Sequence, residues 1–227
     1  MTRKGSALRR TAAIALAVFA GGEVDAPRSA ANPSSTPERR ALPSPQREGG
    51  ASLASVLASR RSVRELGTRE LDDRELGQLL WAAQGVTDGH RAAPSAGALY
   101  PLTVRVVDAR GVWRYVPAGH VVIRESAVDL RGAVAAASDG QEAVRTAPAT
   151  LVITAEIAVT ARKYGKRAER FATLEAGHAA QNVLLTATGL GLGAVPVGWF
   201  EDDKVRRALG LASDVTPLYL IPVGPLR

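Results

Sequence analysis

Residues 170–200 read RFATLEAGHAAQNVLLTATGLGLGAVPVGWF, and three local codes succeed one another within them. Phe171, Leu174, His178, Gln181 and Leu185 recur three or four apart along one side of a helix expected over Arg167–Thr188. Gly189-Leu190-Gly191-Leu192-Gly193 then has the glycine density of a dinucleotide fingerprint. It follows a helix, however, where the fingerprint must follow a strand and open a helix, so it reads as a helix stop. Ala194-Val195-Pro196-Val197-Gly198 continues as an extended segment whose Pro and Gly leave backbone groups free to meet a ligand.

Upstream, Ala149–Ala155 is an unbroken apolar run rich in β-branched residues, the pattern of a strand buried on both faces and central in its sheet. Thr103–Asp108, Val112–Val116 and Val121–Ile123 predict a meander, followed by a helix over Leu130–Ala137. Ser52–Ser59 has helical spacing, and Asp72 or Asp73 can cap a second helix that ends at Gly85. Gly89–Gly97 reads as an irregular loop; a helix over Asp202–Leu209 and a strand over Leu218–Val223 close an α+β layout.

The chain has 227 residues, enough for one well-buried domain, assigned to 51–227. Residues 1–22 read as a targeting segment: Arg3, Lys4, Arg9 and Arg10 precede the apolar run Ala12–Gly21, and Val18-Phe19-Ala20 offers a small-residue cleavage site. Arg9-Arg10 is similar to a twin-arginine signal, which points to export, with a cytoplasmic location as the alternative. The apolar run is too short to span a bilayer in the mature protein. Residues 23–50, with Pro27, Pro33, Pro37, Pro43 and Pro45 and almost no large apolar groups, read as a disordered linker.

The net charge of +7 is unevenly spread, with eight basic against four acidic residues in 1–50 and 21 against 18 thereafter. The arginines are scattered among acids and do not line one element, which argues against nucleic-acid binding. The absence of cysteine excludes disulfides, thiolate metal sites and cysteine nucleophiles. His90, His120 and His178 are far apart and in no paired spacing, so no metal site is expected.

Arg60-Arg61-Ser62-Val63-Arg64 puts three guanidinium groups and a hydroxyl within five residues, the donor set that a phosphate monoester needs. Ser95, Ala96 and Gly97, within the proline-bracketed small-residue stretch 94–101, can bring backbone close to a flat ligand edge. Lys163 and Tyr164 are adjacent donors that burial or a neighbour can tune for proton transfer. Glu175 and His178, one turn apart, read as a structural pair.

RRSVR, PSAGALYP, KYG and EAGH occur here in an order that resembles the nitroreductase superfamily, and the 170–200 run with its closing PLYLIPVG resembles the SagB-type dehydrogenases, over about residues 52–225. The resemblance implies a nitroreductase-like fold: a mixed or antiparallel central sheet flanked by helices, in an intertwined homodimer with FMN in a groove between the subunits. Carried over by position, Arg60, Arg61, Ser62 and Arg64 would hold the FMN phosphate and ribityl chain. Ser95, Ala96 and Gly97 would line the flavin, and Pro196, Val197 and Gly198 would face its N5 edge. Lys163 and Tyr164 match the pair that azoline-acting members use for proton transfer. The family usually continues into a basic tail beyond the closing PVG, a contact for which Arg227 is the candidate here.

The function so implied is two-electron oxidoreduction through FMN. One form is NAD(P)H-driven reduction of nitro- or quinone-like electrophiles, and the other is dehydrogenation of an azoline-like small molecule or modified peptide. An exported enzyme would need a donor other than soluble nicotinamide. The alternative from another class is a flavin-binding or scavenging module that keeps the dimer and the groove without turnover.

Overall fold

In the computed structural model, which describes residues 37–227, the apolar run near residue 150 forms β7 (Ala149–Glu156). It is buried on both faces because helices cover both sides of its sheet. Leu151 and Ile153 point into one apolar cluster and Val152 into the other. The expected targeting segment 1–22 and the linker as far as residue 36 lie outside the described residues.

The sheet has seven strands. In chain order they are β1 (Arg39–Ala41), β4 (Leu102–Asp108), β5 (Gly111–Val116), β6 (Val121–Ser126), β7, β8 (Leu192–Ala194) and β9 (Val215–Pro225). Their spatial order is β1-β6-β5-β4-β7-β9-β8, antiparallel throughout. The expected meander is β4-β5-β6. Its first turn depends on Gly111, at φ +124, where an added Cβ would lie 2.0 Å from the Ser126 carbonyl oxygen.

One face of the sheet is covered by α2 (Asp73–Gln84) and α6 (Ala168–Gly189), the other by α3 (Arg131–Ala137), α4 (Glu142–Thr146) and α7 (Asp202–Ala208). The first α-helix, α1 (Leu53–Ser59), packs near the C-terminal end of α6, and α5 (Ile157–Tyr164) leads into its N-terminal end. The face of α6 turned to the core is made largely of alanines: Ala168, Ala172, Ala176, Ala179, Ala180 and Ala187 are buried with Val183 and Leu184. Small side chains let the helix lie close to the sheet and to α2, where Asn182 Nδ2 donates to the Ala82 carbonyl at 3.0 Å. The stripe legible in the sequence is therefore the other face. Leu174, His178 and Gln181 are exposed and Phe171 and Leu185 half-buried, because the larger side chains do not fit the close approach.

Two expectations are corrected. Residues 37–50 are not wholly a linker: Arg39–Ala41 pairs with Val121–Ile123, Leu42 is buried, and His120 Nε2 hydrogen-bonds the Pro43 carbonyl at 3.0 Å. Arg40 and Arg124 both stack on the Trp113 ring, at 4.6 and 4.5 Å from its centroid, and Arg40 pairs with Asp73, so charge and stacking dock a segment poor in apolar residues. The expected irregular loop contains a tight hairpin, β2 (Val86–Thr87) and β3 (His90–Arg91), because Asp88-Gly89 adopts positive φ at both turn positions.

The start of α2 carries a capping box. Asp72 Oδ1 accepts from the N–H groups of Arg74 and Glu75 at 2.9 and 2.8 Å, and Glu75 Oε2 accepts from the Asp72 N–H at 3.0 Å. Hydrogen bonding from Arg69 holds the Glu75 carboxyl below its ordinary pKa. Replacing Asp72 with Ala is expected to cost about 1 kcal/mol of stability, measurable as a shift in the urea midpoint at unchanged m-value.

Candidate functional site

The early arginine stretch reaches the late Pro-Gly segment because α1 stops at Arg60, whose N–H donates to the Val56 carbonyl, and the chain then runs extended. The Val63 N–H donates to the Ala194 carbonyl at 3.0 Å, the Gly67 N–H to the Pro225 carbonyl at 2.8 Å, and Leu66 bridges Leu226. Gly193 makes this crossing possible: an added Cβ would lie 2.7 Å from Leu66 Cδ2 and 2.8 Å from Val63 Cγ1. The left-handed stop after α6 is Gly191, at φ +72. The glycine run is thus a helix stop and a strand crossing.

Around this crossing, Arg60 is half-buried and Arg61, Ser62 and Arg64 are exposed. No carboxylate pairs with Arg60 or Arg64 among the described residues. Arg61 differs, since its Nη1 donates to the carbonyls of Ala58 and Arg60, both at 2.9 Å, and so shapes the loop. Arg227 follows directly on the Leu66–Leu226 bridge and is exposed. Beyond Ala194, the Val197 N–H donates to the Leu220 carbonyl at 2.8 Å and its side chain enters the core, which leaves Pro196 half-buried and Gly198 exposed. Two cations and a hydroxyl that have no partner among the described residues, with a small-residue wall, fit a phosphorylated planar ligand such as FMN.

A second cluster forms at the start of α6. Gly97, at φ +62, sits in a 3-10 turn over Ala96–Ala98, and Ser95 Oγ accepts from the Tyr100 N–H at 2.9 Å. A Cβ on Gly97 would lie 2.9 Å from both Lys163 Nζ and Tyr164 Oη, so the two expected proton-transfer groups do meet the small-residue turn. The Tyr164 ring packs edge-on against Phe171, centroids 4.8 Å apart.

The two clusters stand apart within one chain. Along β9, Val223 pairs with Ala194 and Thr216 with Ala155, and the seven steps between Thr216 and Val223 span roughly 23 Å at about 3.3 Å each. Along α6, Gly189 lies near Val56 at one end while Glu175 faces Ser95 toward the other, roughly 21 Å away at about 1.5 Å per residue.

Glu175 does not pair with His178: it is 2% exposed, whereas His178 faces solvent. Burial pushes its carboxyl up to about 7; Ser95 and Gln84, which favour the charged form, stand close to it, yet neither closes a hydrogen bond onto Oε1. Periodicity alone could not single out this residue, because an acid one position from an alanine stripe looks like a solvated flank. A cleft of about 750 Å³ lined by Arg105, Arg114, Glu125 and Arg207 lies away from both clusters.

Two expectations follow from the second cluster. Gly97→Ala would force a Cβ into the left-handed region and displace Lys163 and Tyr164, with a loss of about 1 kcal/mol in chemical denaturation. Because the native Glu175 carboxyl holds its proton to higher pH than an unfolded one, stability should fall as pH rises from about 4.5 to about 7 and level off above. Glu175→Gln should remove that part of the slope, read as melting temperature against pH.

The family model for the nitroreductase family matches residues 57–225. The nitroreductase-family protein MJ1384 of Methanocaldococcus jannaschii is 44% identical over 180 residues, covering 76% of this chain and 90% of the relative. A crystal structure of a nitroreductase-family protein from Ralstonia eutropha JMP134 superposes with a TM-score of 0.77 at 31% identity, over 83% of this chain and 90% of the other. A chain of the E. coli microcin synthetase McbBCD complex, crystallised with truncated pro-MccB17, matches with a TM-score of 0.65 over 77% of this chain and 73% of its own, and at 23% identity the likeness is one of fold.

Proposed function

Since the chain belongs to the nitroreductase family, a family of FMN-dependent oxidoreductases, we propose that it carries two electrons between a donor and an organic acceptor through one FMN per subunit of a homodimer. The observation that supports this reading is the Val63–Ala194 crossing, which ties the Arg60–Arg64 stretch to the strand that continues into Pro196–Gly198. Bound FMN supplies hydride chemistry at N5 of its ring.

Arg60 and Arg64, with the Ser62 hydroxyl, hold the phosphate as charge-assisted donors, and Arg227 adds a cation beside them. Arg61 acts by fixing the loop. The backbone at Pro196 and Gly198 faces the ring. The separation of the clusters supports a shared site, in which Ser95, Ala96 and Gly97 from a second copy line the same ring. The outward face of α6, with Phe171, Leu174 and Leu185, offers apolar surface for that second copy. Lys163 and Tyr164 then stand beside the flavin-lining turn, where they hold or move a substrate proton. Among the described residues no helix is long and apolar enough to cross a membrane.

Within this reaction class we favour two branches, NAD(P)H-driven reduction of nitro- or quinone-like electrophiles and SagB-type dehydrogenation of an azoline-like substrate. The purified protein is expected to be yellow, and Arg60→Ala or Arg64→Ala to weaken FMN binding about tenfold or more, measured by flavin fluorescence. A colourless protein with no affinity for FMN would overturn the reading. Lys163→Ala with Tyr164→Ala should abolish azoline dehydrogenation and leave most NAD(P)H bleaching of the flavin intact; equal loss of both would reject the proton-transfer role.

A further inference from the structure

Glu175 is a buried acid that the redox reading leaves without a task. Its carboxyl is enclosed between α6, α2 and the Ser95 turn, with Oε1 unpartnered, and Gln84 Nε2 across from it is unpartnered too. A buried carboxyl oxygen left without a hydrogen bond costs stability unless some function retains it. Its surroundings are simple. The end of α2 brings Gln84, β3 brings Arg91, whose field favours the carboxylate, and β4 brings the apolar Leu102 and Val104 to the same cluster. Lys163 and Tyr164 of α5 reach Gly97, and His178 on α6 faces solvent.

Ser95 opens the turn that lines the proposed flavin site and stands close to the Glu175 carboxyl without closing a hydrogen bond onto Oε1. Its Oγ already accepts one hydrogen bond, from the Tyr100 N–H. A hydroxyl has one proton and two lone pairs, so the state of Glu175 decides what Ser95 has left. Facing a carboxylate, Ser95 gives its proton to Glu175 and retains only an acceptor for a ligand. Facing a carboxylic acid, Ser95 accepts the Glu175 proton on its second lone pair, and its own proton is free to point outward.

We propose that Glu175 is a positioning residue whose proton switches the Ser95 hydroxyl between acceptor and donor at the flavin-lining turn. The assignment rests on the FMN reading for the identity of the ligand, but the Glu175–Ser95 linkage belongs to this chain alone. Isoalloxazine has more acceptor atoms than donors along its polar edge, so the protonated state is the tighter-binding one. The near-neutral titration of Glu175 makes the switch operate around physiological pH.

The test has two arms. In protein stripped of flavin, infrared difference spectra between pH 5 and 9 should show a carboxylic-acid C=O band titrating near 7. That band should vanish in Glu175→Gln, and its midpoint should move up in Ser95→Ala, which removes a donor from the carboxylate. In the second arm, FMN affinity is compared with that of Glu175→Gln, a ratio that cancels titration of the FMN phosphate. The Gln amide donates to Ser95 as the acid does, so the variant should hold the tight state at every pH. Wild-type affinity relative to it should fall about three- to tenfold from pH 6 to 8.5, and Ser95→Ala should abolish the difference. A titration indifferent to Ser95→Ala, or a ratio flat with pH, overturns the proposal. Absence of FMN binding in the wild type refutes the cofactor reading instead, and the infrared arm still decides the linkage.

Discussion

The close packing of the alanine face of α6 against the sheet and α2 is the constraint on which the rest of the architecture rests. Side chains no larger than Ala at six buried positions let a helix of 22 residues lie low across the sheet. Its length then fixes where everything else goes. The arginine stretch and the Pro-Gly segment meet at its C-terminal end, and the Ser95 turn with Lys163 and Tyr164 gathers at its N-terminal end. A helix that sat higher, on larger side chains, would lift α1 from Gly189 and leave Val63 out of reach of Ala194.

From that constraint follows the logic of a shared site. The arginine stretch and the Ser95 turn lie about 20 Å apart in a single chain, so under the proposed function one ligand would meet both only where two copies combine. The same helix leaves its larger apolar side chains outward, on the surface such a combination requires. The fold, and with it the proposed assembly and cofactor groove, thus traces to one packing choice.

Glycines do their work at crossings and turns. Gly193 permits Val63 and Leu66 to pass over β8, Gly111 lets the β4–β5 turn fit under Ser126, and Gly97 makes room for Lys163 and Tyr164. The run GLGLG carried the density of a nucleotide motif, but its meaning depends on what precedes it, and here a helix does.

Sequence alone was enough for the elements: the period-two and continuous apolar runs of β4–β7, a cap at Asp72 or Asp73 and the Gly85 stop of α2, the long helix and its glycine stop, and the residue types able to hold a phosphate. These are local, set by backbone propensity and by periods of a few residues. It did not determine which face of α6 is buried, because alanines carry little hydrophobic signal and their role is distance, which only a neighbour defines. Nor did it reveal the docking of Arg39–Leu42, which depends on Trp113 and His120 more than seventy residues away, or the self-bonding of Arg61. Glu175 is the clearest case. Its type and spacing are those of a surface acid, and only the enclosure formed by α2, α6 and the Ser95 turn removes it from water and pushes its carboxyl up to about 7.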